Sequence, residues 1–295
     1  MQPMINPRHS LSAWTAGLIL FAASTAIAGA PEHQERRFSV KNRPVVVLQN
    51  IVNGRIEVKS SKSPEVVVSS TSTAKKVEVE VEQVGDRIDI SASAMGSSGE
   101  PQELQADFQL TVPEQTELQL KTQTGLIYVE QVTGDMKLES VAGDVHLKEV
   151  SGYIIVKTTG GSLVCTLCSG KLEFTSISGN AQVLQPALTN VNLMTTSGNI
   201  LYDGDFIRTG IYTMKSGRGL VEVRFSGNDS FDLNARTNLG TVDNQAADFL
   251  KPDTHAAHRS AASRYAHSLF GTVGQGLAKV ELSSYSGTIR ILKRN

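Results

Sequence analysis

Hydrophobic and polar residues alternate along the middle of the chain in a pattern that restarts every nine residues. When a glycine is counted as position zero, the second and fourth residues after it are apolar, and their neighbours are mostly polar. This period of two is typical of a short strand with one buried face. The glycines that mark the restarts are Gly125, Gly134, Gly143, Gly152, Gly161, Gly170 and Gly179.

Three apolar columns follow from this count. The plus-two column is Ile127, Met136, Val145, Ile154, Leu163, Leu172 and Ala181. The plus-four column is Val129, Leu138, Leu147, Val156, Cys165, Phe174 and Val183. The plus-seven column is Val132, Val141, Val150, Thr159, Cys168 and Ile177. We predict that all three columns point inward, with a bend before the seventh position.

A fixed period of this length indicates a solenoid. Gly198 and Gly217 continue the corner at intervals of nineteen residues, which favours a coil of about eighteen residues with two short strands. The alternative is an antiparallel meander of hairpins, because Asp or Asn follows several of the glycines. The sequence therefore predicts an all-β, single-stranded parallel β-helix or β-solenoid with about 18–19 residues per coil. Glycine is expected at the corners because it tolerates positive φ.

The chain divides into five predicted segments. Residues 1–28 are a signal peptide, and the β-solenoid domain covers 37–295. Within it we predict irregular strands over 37–121, regular repeats over 122–244, a loop or short helix over 245–266, and final strands over 267–295. Asn53-Gly54 and Ser286-Gly287 are expected to be further copies of the corner.

The signal peptide has a positive residue, Arg8, an almost wholly apolar or small run from Leu11 to Ile27, and the cleavage motif Ala26-Ile27-Ala28. It predicts export to the periplasm or the cell surface; an uncleaved anchor is the alternative. No second apolar run is long enough for a membrane span, so none is expected in the mature chain. A net charge of −1 gives no support to nucleic-acid binding.

Cys165 and Cys168 are the only cysteines, and their C-x-x-C spacing suggests redox chemistry or half a zinc site. Both occupy inward columns, and no second pair completes a zinc site. We therefore favour buried thiols that act as small apolar fillers, with a disulfide as the alternative in an exported protein.

Other chemistry-bearing residues have structural explanations. Asp135 and Asp144 follow consecutive corners, which should lie at opposite edges of a coil, so we expect turn capping, with Asp144 near Ser162 and Asn180. The repeat lacks the glycines and aspartates of a calcium-binding roll. The remaining candidates are the histidines of the 245–266 insertion and the residue after it, read as a solvated loop rather than a zinc site: His255, His258 and His267. No catalytic, cofactor-binding or metal-binding residue is predicted.

The S-G-D and S-G-N corners, the phrase from Phe231 to Gly240, and the ending from Gly274 to Ile291 resemble the DUF4097 family. The resemblance covers roughly residues 37–294. It implies an exported bacterial β-solenoid of the adhesin-like kind, and it carries no catalytic residues to transfer.

We therefore expect a non-catalytic binding or structural module of the bacterial cell envelope, whose partner is an unidentified envelope protein or polysaccharide. The alternative is a carbohydrate-active enzyme, a polysaccharide lyase or hydrolase on a β-helix scaffold, which would need paired carboxylates; Asp248 and Asp253 in the long insertion have no identifiable partner. The residues expected to form one outward polar face are Tyr128, Lys137, His146, Lys148 and Glu173.

The inward assignment leads to a test of stability. Leu147→Asp should place a charge between stacked coils and reduce the free energy of unfolding by several kcal/mol, whereas His146→Asp should be nearly neutral. Thermal denaturation of the two variants measures the difference, and equal melting temperatures would contradict the assignment.

Overall fold

The alternating pattern builds two long β-sheets that face each other across an apolar core. The computed structural model describes residues 31–73, 76–95, 104–252 and 267–294. These residues form strands and turns, without a helix. Twelve strands form sheet 1 and thirteen form sheet 2. A single apolar cluster of buried side chains fills the space between them.

Seven strands precede the regular repeat: β1 (Glu32–Ser39), β2 (Val45–Asn50), β3 (Ile56–Ser61), β4 (Glu65–Ser72), β5 (Val77–Val84), β6 (Arg87–Ala94) and β7 (Ala106–Pro113). The regular coils contain β8 (Glu117–Thr122), β9 (Ile127–Glu130), β10 (Met136–Ser140), β11 (Val145–Lys148), β12 (Ser151–Thr158), β13 (Leu163–Thr166), β14 (Ser169–Ser176), β15 (Ala181–Leu184), β16 (Ala187–Thr195), β17 (Ile200–Asp203), β18 (Ile211–Ser216) and β19 (Val221–Phe225). The last strands are β20 (Phe231–Thr237), β21 (Thr241–Asn244), β22 (Lys251–Pro252), β23 (His267–Val273), β24 (Ala278–Ser284) and β25 (Thr288–Lys293).

Each regular coil contributes one strand to each sheet, and neighbouring coils run parallel. In sheet 2, Met136 of β10 lies opposite Leu118 of β8 and Ile154 of β12, each eighteen residues away. Sheet 1 shows the same step between β9, β11 and β13. The parallel β-solenoid is therefore confirmed, and the antiparallel meander is wrong for the regular repeat.

The inward columns are confirmed at plus two and plus four but only half confirmed at plus seven. Val132, Val150 and Cys168 are buried, whereas Val141 is 53% exposed and Ile177 is 58% exposed. The two corners of a coil differ, because only one of them contains a residue in the left-handed conformation just before the plus-seven position. In successive coils this residue is Gln131, Glu149, Leu167 and Gln185, with φ between 49° and 58°. The true repeat is therefore eighteen residues, and the two nine-residue halves are not equivalent.

The glycines also divide into two sets, and positive φ explains only one of them fully. Gly134, Gly152 and Gly170 have positive φ. Close stacking constrains both sets: a Cβ atom on Gly134 would lie 2.2 Å from the carbonyl oxygen of Thr116, and one on Gly161 would lie 1.9 Å from that of Gly143. At Gly143 and Gly161 it acts without positive φ. The expectation that φ alone selects glycine is therefore corrected.

A buried hydroxyl precedes each corner of the set that contains Gly143 and Gly161 by three residues. The backbone N–H of Gly179 donates to Ser176 Oγ at 2.8 Å, and that of Gly198 donates to Thr195 Oγ1 at 3.1 Å. The Thr195 hydroxyl in turn donates to the carbonyl oxygen of Gly179, one coil away, at 3.0 Å. The same N–H donation to a hydroxyl three residues earlier occurs at Gly143, Gly219, Gly240 and Gly287. The corner expected at Gly217 is therefore at Gly219.

Both ends of the solenoid depart from sequence order. β2 and β3 lie between the β6–β7 coil and the β8–β9 coil, and β24 and β25 lie between the β18–β19 coil and the β20–β21 coil. Antiparallel strands cover the N-terminal end, where β1 pairs with β4 and β5 pairs with β6. The first and last coils of the chain are therefore interior coils of the stack.

The repeat lengthens to 21 residues between β17 and β19 because the chain folds an extra aromatic side chain inward. Phe206 is buried, with its ring stacked on Tyr202 at 5.1 Å and edge-on to Tyr212 at 4.7 Å. The Tyr212 hydroxyl donates to the carbonyl oxygen of Leu188 at 2.6 Å. This cluster fills the wider coils below the inserted β24–β25 coil.

Cys165 and Cys168 are joined by a disulfide, with their Cα atoms 6.0 Å apart. The favoured interpretation as two free thiols is therefore wrong, although both residues are completely buried as expected. The left-handed conformation of Leu167 between them turns both side chains toward the interior, where their sulfur atoms meet.

The predicted division of the chain remains a prediction. The signal peptide over 1–28 lies outside the described residues, as do residues 253–266 of the predicted loop or short helix. Residues 245–250 form turns.

Two adjacent glycines offer a matched test of close stacking. Gly161→Ala should reduce the free energy of unfolding by on the order of 3 kcal/mol, because its Cβ has no room beside the Gly143 carbonyl. Gly160→Ala should change it by less than about 0.5 kcal/mol, since the nearest atom would lie 3.7 Å away. Urea denaturation measures both; a tolerated Gly161→Ala would show that the corner can relax.

Candidate binding surface

Asp144 belongs to a ladder of turn caps that climbs one edge of the solenoid. The backbone N–H of Ser162 donates to Asp144 Oδ1 at 2.7 Å, and that of Asn180 donates to Ser162 Oγ at 3.2 Å. The next steps are Asn199 N–H to Asn180 Oδ1 and Leu220 N–H to Asn199 Oδ1, both 2.8 Å. The predicted stacking of Asp144 near Ser162 and Asn180 is confirmed.

The other carboxylate and histidine candidates do not converge. Asp135 lies at the opposite corner, where it accepts a hydrogen bond from the Tyr153 N–H at 3.4 Å. Asp248 and His267 are exposed, while Asp253, His255 and His258 lie outside the described residues. Among the residues the structure describes, no group of three or more His, Cys, Asp or Glu side chains is arranged to hold a metal ion.

The five residues expected to share one polar face point outward but lie on two faces. Tyr128, His146 and Lys148 are on sheet 1, where Tyr128 and His146 are opposite each other. Lys137 and Glu173 are on sheet 2. The expectation of a single face is therefore wrong, because consecutive half-repeats alternate between the sheets.

The outer face of sheet 1 is largely neutralised by its own ion pairs. Lys148 Nζ lies 2.7 Å from Glu130 Oε1, and Lys59 Nζ lies 2.6 Å from Glu57 Oε1. The hydrogen bond from Lys148 lowers the pKa of the Glu130 carboxyl below its ordinary value. Few charges on this part of the face remain available to a partner.

The C-terminal end of sheet 1 holds a larger network around a buried carboxylate. Arg290 on β25 bridges Glu222 on β19 and Asp243 on β21, with both N–O distances 3.2 Å. Arg224 contacts Glu222 at 2.5 Å. Because these pairs join the inserted β25 to both neighbouring strands, we assign the network to structure rather than to binding.

Sheet 2 differs, since several of its outward cations lack an acidic partner. We define the lysine face as Lys121, Lys137, Lys157 and Lys171 on β8, β10, β12 and β14. Lys137 pairs with Glu139 on its own strand at 2.9 Å, and this hydrogen bond, with attraction from Lys121 and Lys157, lowers the pKa of the Glu139 carboxyl. Among the described residues, Lys121, Lys157 and Lys171 form no ion pair. This face therefore carries more cations than close acidic partners, since Glu139 is the one carboxylate shared by Lys121, Lys137 and Lys157.

A groove and a tyrosine accompany these lysines. The groove has a volume of about 270 Å³ and is lined by Lys121, Glu139, Lys157 and the corner residues Val141 and Thr159. Tyr153, four residues before Lys157 on β12 and opposite Lys171, is 38% exposed, and its hydroxyl donates to Glu173 Oε1 at 2.6 Å. That hydrogen bond is the main reason that the pKa of the Tyr153 phenol is raised.

Sequence reasoning missed Lys121 and Lys157 as a pair in one column. The signal was present, because Lys121, Glu139 and Lys157 are spaced by eighteen residues and therefore lie in one column of sheet 2. It was hidden by counting in steps of nine, which mixes the residues of the two sheets.

A larger cleft of about 780 Å³ lies among the turns that follow β1, β3 and β7. Lys41, Arg43 and Lys62 supply positive charge there, and Glu114 supplies negative charge. Arg43 also lies 3.9 Å from Glu117. The mixed charge and the exposed turns leave this cleft less selective than the lysine face.

The sequence model of the family described as Toastrack DUF4097 matches residues 50–292, and the chain belongs to this family. The resemblance noted from the sequence is thereby confirmed. No curated protein sequence matches the chain. The described residues contain no helix long and apolar enough to cross a bilayer.

The solved structures that match the chain are distant in sequence. A candidate adhesin from Bacteroides fragilis is 12% identical with a TM-score of 0.38, and the alignment covers 88% of this chain and 97% of that one. A candidate cell-adhesion protein from Clostridium sporogenes is 10% identical with a TM-score of 0.32, covering 90% and 100%. A candidate lipid-binding protein from Parabacteroides distasonis is 10% identical with a TM-score of 0.27, covering 90% and 98%.

The capping role of Asp144 can be tested by a pair of substitutions. Asp144→Ala removes the acceptor for the Ser162 N–H and should reduce the free energy of unfolding by about 1 kcal/mol. Asp144→Asn keeps an oxygen in place and should cost clearly less. Chemical denaturation measures both, and equal losses would show that the negative charge, not the cap, matters.

Proposed function

We propose that this chain is an exported, non-catalytic module of the bacterial cell envelope that binds an envelope polysaccharide or protein. The observation that carries the proposal is how the polar groups of the solenoid are used: buried hydroxyls bond to the backbone at the corners, and the rigid outer face of sheet 2 presents more lysines than it has close acidic partners. Every buried side-chain nitrogen and oxygen in the described residues has a hydrogen-bond partner, as expected of polar groups that serve structure.

Export is supported by the sequence of the first 28 residues and by the family. The resemblance to DUF4097 implies exported bacterial proteins, and the A-x-A motif at Ala26 and Ala28 is what a signal peptidase requires. A rigid solenoid suits a binding role because its side chains are held at fixed intervals, which reduces the entropy lost when a repetitive partner binds.

The enzyme alternative receives no specific support. Asp144 and Asp135 each accept a backbone hydrogen bond at a different corner, so they do not form the facing pair that glycoside cleavage needs. We therefore assign no catalytic residue.

Cell fractionation and binding together test the proposal. The full chain, expressed in a Gram-negative host, should appear outside the cytoplasm at the size expected after loss of residues 1–28, whereas Ala28→Arg should accumulate as the precursor. The mature protein should sediment saturably with isolated native envelopes and should not depolymerise their polysaccharides. A cytoplasmic precursor, absence of envelope binding, or turnover abolished by one carboxylate substitution would each contradict the proposal.

A further inference from the structure

A row of exposed side chains follows one edge of the solenoid, at the corners that lie after the strands of sheet 2. Nine of these strands end in a buried polar residue, and their registers stack the next residue of each strand one per coil. We define these residues as the ridge. From the N-terminal end it consists of Ile51, Gln123, Val141, Thr159, Ile177, Thr196, Gly217, Tyr285 and Asn238, with Leu239 following at the last corner.

The ridge is uncharged, and its large side chains are open to solvent. Ile51, Val141, Ile177 and Tyr285 are between 51% and 60% exposed, and Leu239 is 67% exposed. Neighbouring coils are ~4.8 Å apart, so the nine coils carry the ridge over about 40 Å. Single exposed apolar residues are common on protein surfaces, but a long row of them on a rigid edge indicates an interaction surface.

A mainly cationic and neutral column runs beside the ridge on sheet 2, two residues before it on each strand. Its one carboxylate, Glu139, pairs with Lys137 on its own strand at 2.9 Å. Lys121 and Lys157 line the same groove as the ridge residue Val141, so positive charge and apolar surface lie side by side. The members of the column are Gln49, Lys121, Glu139, Lys157, Thr175, Met194, Lys215, Ser283 and Arg236.

This combination complements the surface of an anionic lipid bilayer. Apolar side chains that enter the headgroup region leave water, and neighbouring lysines bind the anionic headgroups while their stems lie along apolar surface. The ridge is convex because it consists of corners, and the fluid surface of a bilayer can follow a convex edge along its whole length.

A second copy of this chain would fit the ridge less well. Two ridges that meet along a line bury a narrow strip, whereas a stable protein interface takes a patch of about 800 Å² from each partner. A symmetric contact uses the same surface of both copies, which would bring the two cationic columns together. Charge and shape therefore favour lipid as the occupant.

We propose that the ridge and the cations beside it adsorb this protein edge-on to an anionic lipid bilayer, with the solenoid axis parallel to the membrane. Val141, Ile177 and Tyr285 enter the headgroup region, and Lys121 and Lys157 bind headgroups. The inference goes beyond the proposed function, because its ligand is lipid rather than an envelope polysaccharide or protein.

Co-sedimentation of the mature protein with lipid vesicles tests the ridge. Vesicles of phosphatidylethanolamine and phosphatidylglycerol should bind it, and vesicles of phosphatidylcholine alone should not. Val141→Glu with Ile177→Glu should weaken binding by about tenfold or more, because the variant loses apolar contact and gains repulsion from the headgroups.

The matched control is Val84→Glu with Leu167→Glu, which places the same charge at two exposed apolar positions away from the ridge. It should change the affinity by less than about twofold. Glu149 holds the position of Leu167 in the neighbouring coil with a similar φ, so glutamate is compatible with that corner. Circular dichroism and thermal melting establish that both variants fold.

The cations are tested separately. Lys121→Gln with Lys157→Gln should weaken binding to anionic vesicles by about tenfold and reduce its dependence on salt. Lys41→Gln with Lys62→Gln removes the same charge from the larger cleft and should change the affinity by less than about twofold.

A fluorescent side chain can report the orientation directly, because the only tryptophan of the chain, Trp14, lies in the predicted signal peptide. Ile177→Trp places a single tryptophan on the ridge of the mature protein. Its emission should move to shorter wavelength with anionic vesicles and should be quenched by brominated lipids. Leu167→Trp, at the opposite corner, should show neither effect.

Several outcomes would overturn the inference: no binding to anionic vesicles, equal binding to phosphatidylcholine, equal losses in either pair of double variants, or equal quenching of the two tryptophans. A lipid-free dimer that Val141→Glu with Ile177→Glu dissociates would also overturn it, since the ridge would then bind a second copy. The vesicles contain only lipid. If they fail to bind while the protein still sediments with native envelopes, the inference is wrong and the proposed function stands; if envelope binding is also absent, both fail.

Discussion

The hydrogen-bonded contact between a buried hydroxyl and a glycine corner is the constraint on which the solenoid depends. Thr195 accepts a hydrogen bond from the N–H of its own corner, Gly198, and donates one to the carbonyl of Gly179 in the neighbouring coil. Ser216 repeats this arrangement one coil further. Because glycine has no Cβ, successive corners approach closely enough for their carbonyls to lie where a methyl group would otherwise be. The contact therefore fits the interstrand spacing that the parallel ladders impose and satisfies polar backbone groups that apolar columns alone would leave unpaired.

Periodicity in the sequence was sufficient to predict the architecture but not the difference between the two corners. The inward position of Leu147 and the cap of Asp144 followed directly from alternation and spacing. Ile177 was predicted to point inward because a nine-residue count treats both corners alike. One corner contains a left-handed residue, whereas the other is held by a hydrogen bond from the glycine N–H to a buried hydroxyl. The Ser/Thr-x-x-Gly spacing was visible in the sequence, yet its meaning depends on a carbonyl in the neighbouring coil, sixteen residues away for Thr195 and eighteen for Ser216. The disulfide was undecided by spacing for a similar reason, since the conformation of Leu167 brings the sulfur atoms together.

The candidate surface was less accessible to sequence reasoning than the fold. Outward residues do not reveal their neighbours until the sheet and register are known, and His146 and Lys137 proved to belong to different sheets. Once the eighteen-residue step is fixed, Lys121 and Lys157 fall into a single column without further assumption. Ion pairing then separates the faces physically: on sheet 1 the Lys148 cation is occupied by Glu130, and on sheet 2 several cations remain available. The candidate surface therefore consists of outward lysines of sheet 2 that form no close ion pair with a neighbouring side chain.

The placement of β24 and β25 has a consequence for how the molecule is assembled. β20 reaches the rest of sheet 2 only through β24, and β21 reaches the rest of sheet 1 only through β25. A growing chain emerges from its N-terminus, so the portion that includes β20 and β21 exists before the strands that attach it. β24 and β25 therefore join the β20–β21 coil to the rest of the solenoid, and Arg290 on β25 forms ion pairs with the strands on both sides. A chain that stops short of them would expose two open rows of backbone donors and acceptors, which are ready templates for intermolecular association.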